Sequence, residues 1–150
     1  MLLGSKFNGY ANPRPLLDGS QIVVGTFTSY NGVPANRIAR INPGGAIDNT
    51  FSANVGSGFN EETTNAVLLP NGQVAICMIG TATLFNGEAT REMVLISQNG
   101  VRDPHFNSSG DGFTGGRTLF VEQQSTGHLV SVGWFTSFNS LPRLRVARFI

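Results

Sequence analysis

The sequence is poor in charge. Ten Lys and Arg face nine Asp and Glu, which leaves a net charge of +1 with 13% of residues charged. That balance excludes a strongly basic nucleic-acid surface and gives no reason to expect an anionic membrane as partner. There is one cysteine, Cys77, so no intrachain disulfide can form and the fold does not depend on an oxidising compartment. Its place in the apolar run Val74–Ile79 marks it as a buried, inert thiol. That run is also the longest of its kind and far too short to span a bilayer. The first residues carry neither a basic segment nor an apolar core of useful length, so no secretory signal is read there. The expectation is a soluble chain made in the cytoplasm. With two histidines, His105 and His128, and no cluster of Cys, His or acids around either that would complete a ligand set, no metal is expected and no cofactor is implied.

Glycine and phenylalanine are abundant instead, at 19 and 11 residues against a single Trp, and this composition favours turn-rich β-structure. The stretch Gly25-Thr26-Phe27-Thr28-Ser29-Tyr30-Asn31-Gly32 returns twice, as Gly80-Thr81-Ala82-Thr83-Leu84-Phe85-Asn86-Gly87 and as Gly133-Trp134-Phe135-Thr136-Ser137-Phe138-Asn139-Ser140. The copies open 55 and then 53 residues apart, a period that signifies a repeat architecture. Each unit starts near an aromatic (Phe7, Phe59, Phe113) and runs into a short strand. A turn follows at Asp18-Gly19, Asn71-Gly72 or Thr126-Gly127, where type I′ geometry is expected. A β-branched second strand leads to the recurrent stretch, read as a bend and a wide polar loop. A third strand then leads to a fourth on the pattern Asp48-Asn49-Thr50-Phe51 or Asp103-Pro104-His105-Phe106. No window reads as a helix. Four antiparallel strands per period is the pattern of a β-propeller blade, preferred here over a β-sandwich, which needs no repeat.

Leu17 to Phe27, Asn31-Gly32, Arg37-Ile38-Ala39-Arg40-Ile41-Asn42 and Asp48-Asn49-Thr50-Phe51 together resemble the delta-60 repeat family of bacterial and phage β-propellers. The likeness extends over nearly the whole chain, although unit two has Glu92-Met93-Val94-Leu95 where unit one has Arg37-Ile38-Ala39-Arg40. The resemblance implies a propeller of such blades and no catalysis. The expected fold is therefore all-β, with three four-stranded propeller-type blades at about 7–58, 59–112 and 113–150. Since propellers close with roughly four to eight blades, closure is expected through a homo-oligomer, two chains giving six blades. Residues 1–6 of the same or a neighbouring chain are expected to complete blade three.

No acid, base or nucleophile set emerges, so an enzyme is not expected. The residues 107–112 (Asn107 to Gly112) lack the alternating acids of a calcium loop, and Asn107-Ser108-Ser109 is formally a glycosylation sequon. Arg143, Arg145 and Arg148 make a basic cluster, read as solvated or intrablade before any contact with an adjacent chain. The principal expectation is a non-enzymatic adaptor or decoration in a larger assembly, bound to other structural proteins and located in the virion if phage-encoded. The alternative is a lectin-like propeller that binds glycans with one aromatic-Asn site per blade, using Tyr30, Asn31, Phe85, Asn86, Trp134, Phe138 and Asn139. Against it, each repeated aromatic has a simpler role packing between blades, and that reading is favoured.

Overall fold

A computed structural model describes residues 6–80, 83–106 and 110–149. Among the described residues the chain is all-β apart from one short helix. Unit one contains β1 (Ala11–Pro15), β2 (Gln21–Gly25), β3 (Ser29–Tyr30), β4 (Val33–Pro34), β5 (Ile38–Ile41) and α1 (Asn49–Val55). Unit two contains β6 (Thr63–Leu68), β7 (Gln73–Met78), β8 (Leu84–Phe85), β9 (Glu88–Ala89) and β10 (Met93–Ser97). Unit three contains β11 (Phe113–Thr114), β12 (Thr118–Gln123), β13 (Leu129–Gly133), β14 (Ser137–Phe138), β15 (Leu141–Pro142) and β16 (Val146–Phe149).

Each unit repeats one plan. A three-stranded antiparallel sheet is ordered β1-β2-β5, β6-β7-β10 or β12-β13-β16. Beside it lies a two-residue-per-strand ribbon, on which the opening aromatic pairs as Phe7↔Tyr30, Phe59↔Phe85 or Phe113↔Phe138. The stretch expected to be a fourth strand is different. A single bridge residue holds that place, Ile47 on Ile41 and Arg102 on Ile96. Asp48 then caps α1, accepting from the backbone N–H groups of Thr50 (2.9 Å) and Phe51 (3.0 Å). An Asp whose carboxylate reaches its own backbone two and three residues on favours a helix start over a strand. Asp103 behaves likewise in unit two, accepting from the N–H of His105 at 2.9 Å.

The turns also exchange roles relative to expectation. At Asp18-Gly19 only the glycine has positive φ (+80°), with Gly19 N–H donating to Leu16 O and Leu16 N–H to Ser20 O. This is a three-residue loop closed by a left-handed glycine, not a type I′ turn. Type I′ geometry occurs instead inside the recurrent stretch, at Asn31-Gly32 (φ +48° and +79°), Asn86-Gly87 (+48° and +79°) and Asn139-Ser140 (+48° and +61°). There it makes two-residue hairpins, with Tyr30 opposite Val33, Phe85 opposite Glu88 and Phe138 opposite Leu141. Unit two also carries a two-residue slip. The backbone N–H groups of Gly25, Met78 and Gly133 donate to the carbonyls of Arg37, Glu92 and Arg145, so Met78, not Gly80, is the counterpart of Gly25.

Strand alternation makes every sheet two-sided. Ile22, Val24 and Ile38 of unit one share a core with Ala66, Val74, Ile76, Val94 and Ile96 of unit two, closed over by Phe51 and Val55 of α1. The other side of the unit-two sheet, with Ala75, Cys77, Met93 and Leu95, packs on Val121, Leu129 and Ala147 of unit three. The sheets therefore stack face to face, in the order one, two, three.

Candidate interaction surfaces

The recurrent aromatics are structural. Tyr30 is 3% exposed and Phe85 2%, while Phe138 is half-buried. Their rings meet those of Phe7, Phe59 and Phe113 at centroid distances of 4.7, 4.8 and 4.6 Å. The asparagines beside them fasten each unit's opening segment. Asn31 Oδ1 accepts from Lys6 N–H (2.9 Å), Asn86 Oδ1 from Ser57 N–H (3.2 Å) and Asn139 Oδ1 from Gly112 N–H (3.0 Å). Asn86 and Asn139 thereby reach back to the end of the preceding unit, Phe85 joins the core between units one and two, and the six residues do not share one pocket. Trp134 differs, being 55% exposed with the Arg145 guanidinium 5.4 Å from its ring centroid.

The remaining sequence candidates resolve as follows. Cys77 is fully buried, and desolvation pushes its thiol up to about 12, far from a nucleophile. His128 Nδ1 lies 3.0 Å from Thr126 Oγ1 on the surface. Arg143 bonds the neighbouring Pro142 carbonyl, and only Arg148 of the basic cluster lies on a strand, β16. The sequon 107–109 lies outside the described residues. Among the described residues no group of three or more His, Cys, Asp or Glu is placed to hold a metal, and no helix is long and apolar enough to cross a membrane.

Polar chemistry concentrates instead at the junctions between units, which the sequence did not mark. Thr63, at a bulge in β6, places its Oγ1 3.0 Å from Gly25 O and 3.1 Å from Arg37 O, and it accepts from Gly25 N–H. Thr118, at the matching bulge in β12, places its Oγ1 3.1 Å from both Met78 O and Glu92 O. Asn65 Oδ1 accepts from Val121 N–H across the same junction at 3.2 Å. Arg40 reaches from unit one to Gln98 O and Asn99 Oδ1 of unit two, both at 3.1 Å. Glu92 is buried, and desolvation pushes its carboxyl up to about 7, opposed by the bond it accepts from Thr118 N–H (2.9 Å). The one sequence signal for this residue was its acid where units one and three have Arg37 and Arg145.

The two ends of the stack differ: the outer face of unit three is exposed, whereas the centre of the unit-one face is buried at Val23 and Ala39. On unit three, Phe120, Val132 and Val146 form one exposed cross-strand row, and Glu122, Val130 and Arg148 the next. On unit one the corresponding face is recessed, a groove of about 410 Å³ lined by Phe7, Ala11, Pro13, Val23 and Ile41 among others.

Small antiparallel sheets of repeated plan, packed face to face by alternating strand sides, define this chain as a set of β-propeller blades. The family described as "Domain of unknown function (DUF5122) beta-propeller" matches residues 17–51 and 124–149, which supports a β-propeller family. Unit two, where the two-residue slip falls, lies outside the match. No curated protein and no solved structure matches the chain.

Proposed function

We propose that this protein is a non-enzymatic structural and interaction protein, a β-propeller that closes as a homo-oligomer and serves as an adaptor or decoration in a larger assembly. Two chains form a six-bladed ring, and the resemblance to phage and bacterial repeat proteins points to a virion as that assembly. The observation that carries the reading is the exposed outer face of unit three at one end of the stack, opposite a groove on unit one at the other. The exposed face bears Phe120, Val132 and Val146 in a single row. Apolar sheet faces of this kind are sites of association. Native mass measurement tests it: a complex of two 16.0 kDa chains is expected, and a single chain at every concentration overturns the ring.

Carbohydrate binding is the second reading, favoured by one observation, the exposed indole of Trp134 beside Arg145. Titrating tryptophan fluorescence with a broad sugar panel separates the two, because a pure adaptor leaves the emission unchanged.

A further inference from the structure

The junctions inside the chain show which side of a unit fits which. Hydrogen-bond register makes Phe120 of unit three the counterpart of Asn65 in unit two, since they face Val132 and Cys77 respectively. It likewise makes Pro13 of unit one the counterpart of Val121, which face Val23 and Ser131. Within the chain, Asn65 accepts the N–H of Val121 across the junction. Had the end faces kept this pair, each would leave a buried polar group in need of the other. Both members have changed: the acceptor side chain is Phe120, and Pro13 has no N–H to donate. A polar pair is thus replaced at both ends by an apolar one.

Arg148 carries the second correspondence. It occupies the place of Arg40, the two facing Val130 and Ile22 in their sheets. Arg40 binds the carbonyl of Gln98, in a turn where Gly100 N–H donates to Ser97 O and Ser97 N–H to Val101 O. The same turn in unit one runs through Asn42, Pro43 and Gly45, with Gly45 N–H donating to Asn42 O, so Pro43 O stands where Gln98 O does. A protruding Phe120 meets a recess that Pro13 lines, and a free guanidinium meets a turn carbonyl.

We propose that unit three of one chain docks on unit one of a second copy, with Phe120 against Pro13 and Arg148 on the Pro43 carbonyl, in the same sense as the internal junctions. The proposal rests on the oligomeric reading above and specifies its contact. One bond of the internal junctions is missing from it. Ala11, opposite Gly25, takes the place of Thr63 and Thr118, opposite Met78 and Gly133, so the contact between copies lacks the threonine hydroxyl. It is the weakest of the junctions, and the complex dissociates on dilution.

The test uses Phe120→Glu and Pro13→Lys, each measured alone and mixed, by native mass spectrometry with far-UV circular dichroism as the check on folding. Wild type is expected at twice the chain mass, each variant alone at one chain mass, and the mixture again at two. In the mixture one junction joins Glu to Lys and the other keeps the native Phe–Pro pair. Arg148→Ala, an exposed change that leaves the sheet intact, should raise the dissociation constant about tenfold. Variants that stay dimeric alone, or a mixture that stays monomeric, overturn this pairing while leaving the oligomer standing. Wild type that never exceeds one chain overturns both.

Discussion

Where unit two meets unit one, Arg37 donates from its guanidinium to the carbonyl of Phe59 at 2.9 Å. Where unit three meets unit two, the same left-handed backbone position holds Glu92, whose carboxylate instead accepts from Thr118 N–H. A similar contrast runs through the apolar part. The first junction is sealed by fully buried Phe51 on α1, whereas Phe106 in the second is half-buried, its ring 6.2 Å from that of Phe149. One backbone plan thus supports two junctions with different dependences. The first is closed by Phe51 together with neutral and arginine hydrogen bonds from Thr63, Arg37 and Arg40, and the second contains a buried acid whose carboxyl is pushed up to about 7. Repeats make this possible because the hydrogen-bonded frame is fixed by the main chain while the side chains between frames are free to differ.

The largest expected effect breaks the first junction. Phe51→Ala removes a fully buried ring and should cost about 3–5 kcal/mol in denaturant unfolding, with amide exchange quickening first in α1, β2 and β5. A smaller loss anywhere but there would make the helix dispensable to the junction.

The pH dependence of the second junction comes next. The carboxyl of Glu92 titrates near 7 in the folded chain against an ordinary value of 4.5. Between those values the folded state binds more protons than the unfolded state. Stability therefore falls as pH rises from about 4.5 to 7 and is level above, by up to about 3 kcal/mol. Glu92→Gln should flatten that slope, and amide exchange in β12 and β7 should report the change while β1 and β2 stay constant. An unchanged slope in the variant would assign it to another group.

Thr118→Val should have the smallest effect, about 1–3 kcal/mol, because it keeps the shape and leaves two buried carbonyls, Met78 O and Glu92 O, short of one donor. Thr63→Val is the matched control in the first junction. Comparable losses from the two would establish the bulged threonine as the common fastener, and a null result in both would reduce it to a space filler.

Much of the fold was legible in the sequence because its signals are local. Gln21–Val24 and Val74–Met78 declare strands through β-branched apolar runs. The same locality explains the misreadings. Asp48-Asn49-Thr50-Phe51 reads as a fourth strand from its place after a turn in a four-strand period. What decides the outcome is a carboxylate closing on the N–H groups of Thr50 and Phe51, which a strand does not offer. The slip in unit two was hidden because Gly80 happens to mimic Gly25 two residues late. The roles of Thr63, Thr118 and Glu92 are not legible in the sequence, since their partners lie 26 to 40 residues away, on the neighbouring sheet. The candidate glycan aromatics were recognised as a recurring set, and burial assigns Tyr30 and Phe85 to packing.

Each unit has two different sides, set by which residues of β2, β7 and β13 point each way. A stack of such parts has a direction, as a row of cups does. Whatever joins it must enter in the same orientation, and an inverted copy would bring two protruding faces or two hollows together. The two ends are therefore inequivalent, and in any head-to-tail pairing of identical copies a change on one face alone would alter every contact between them.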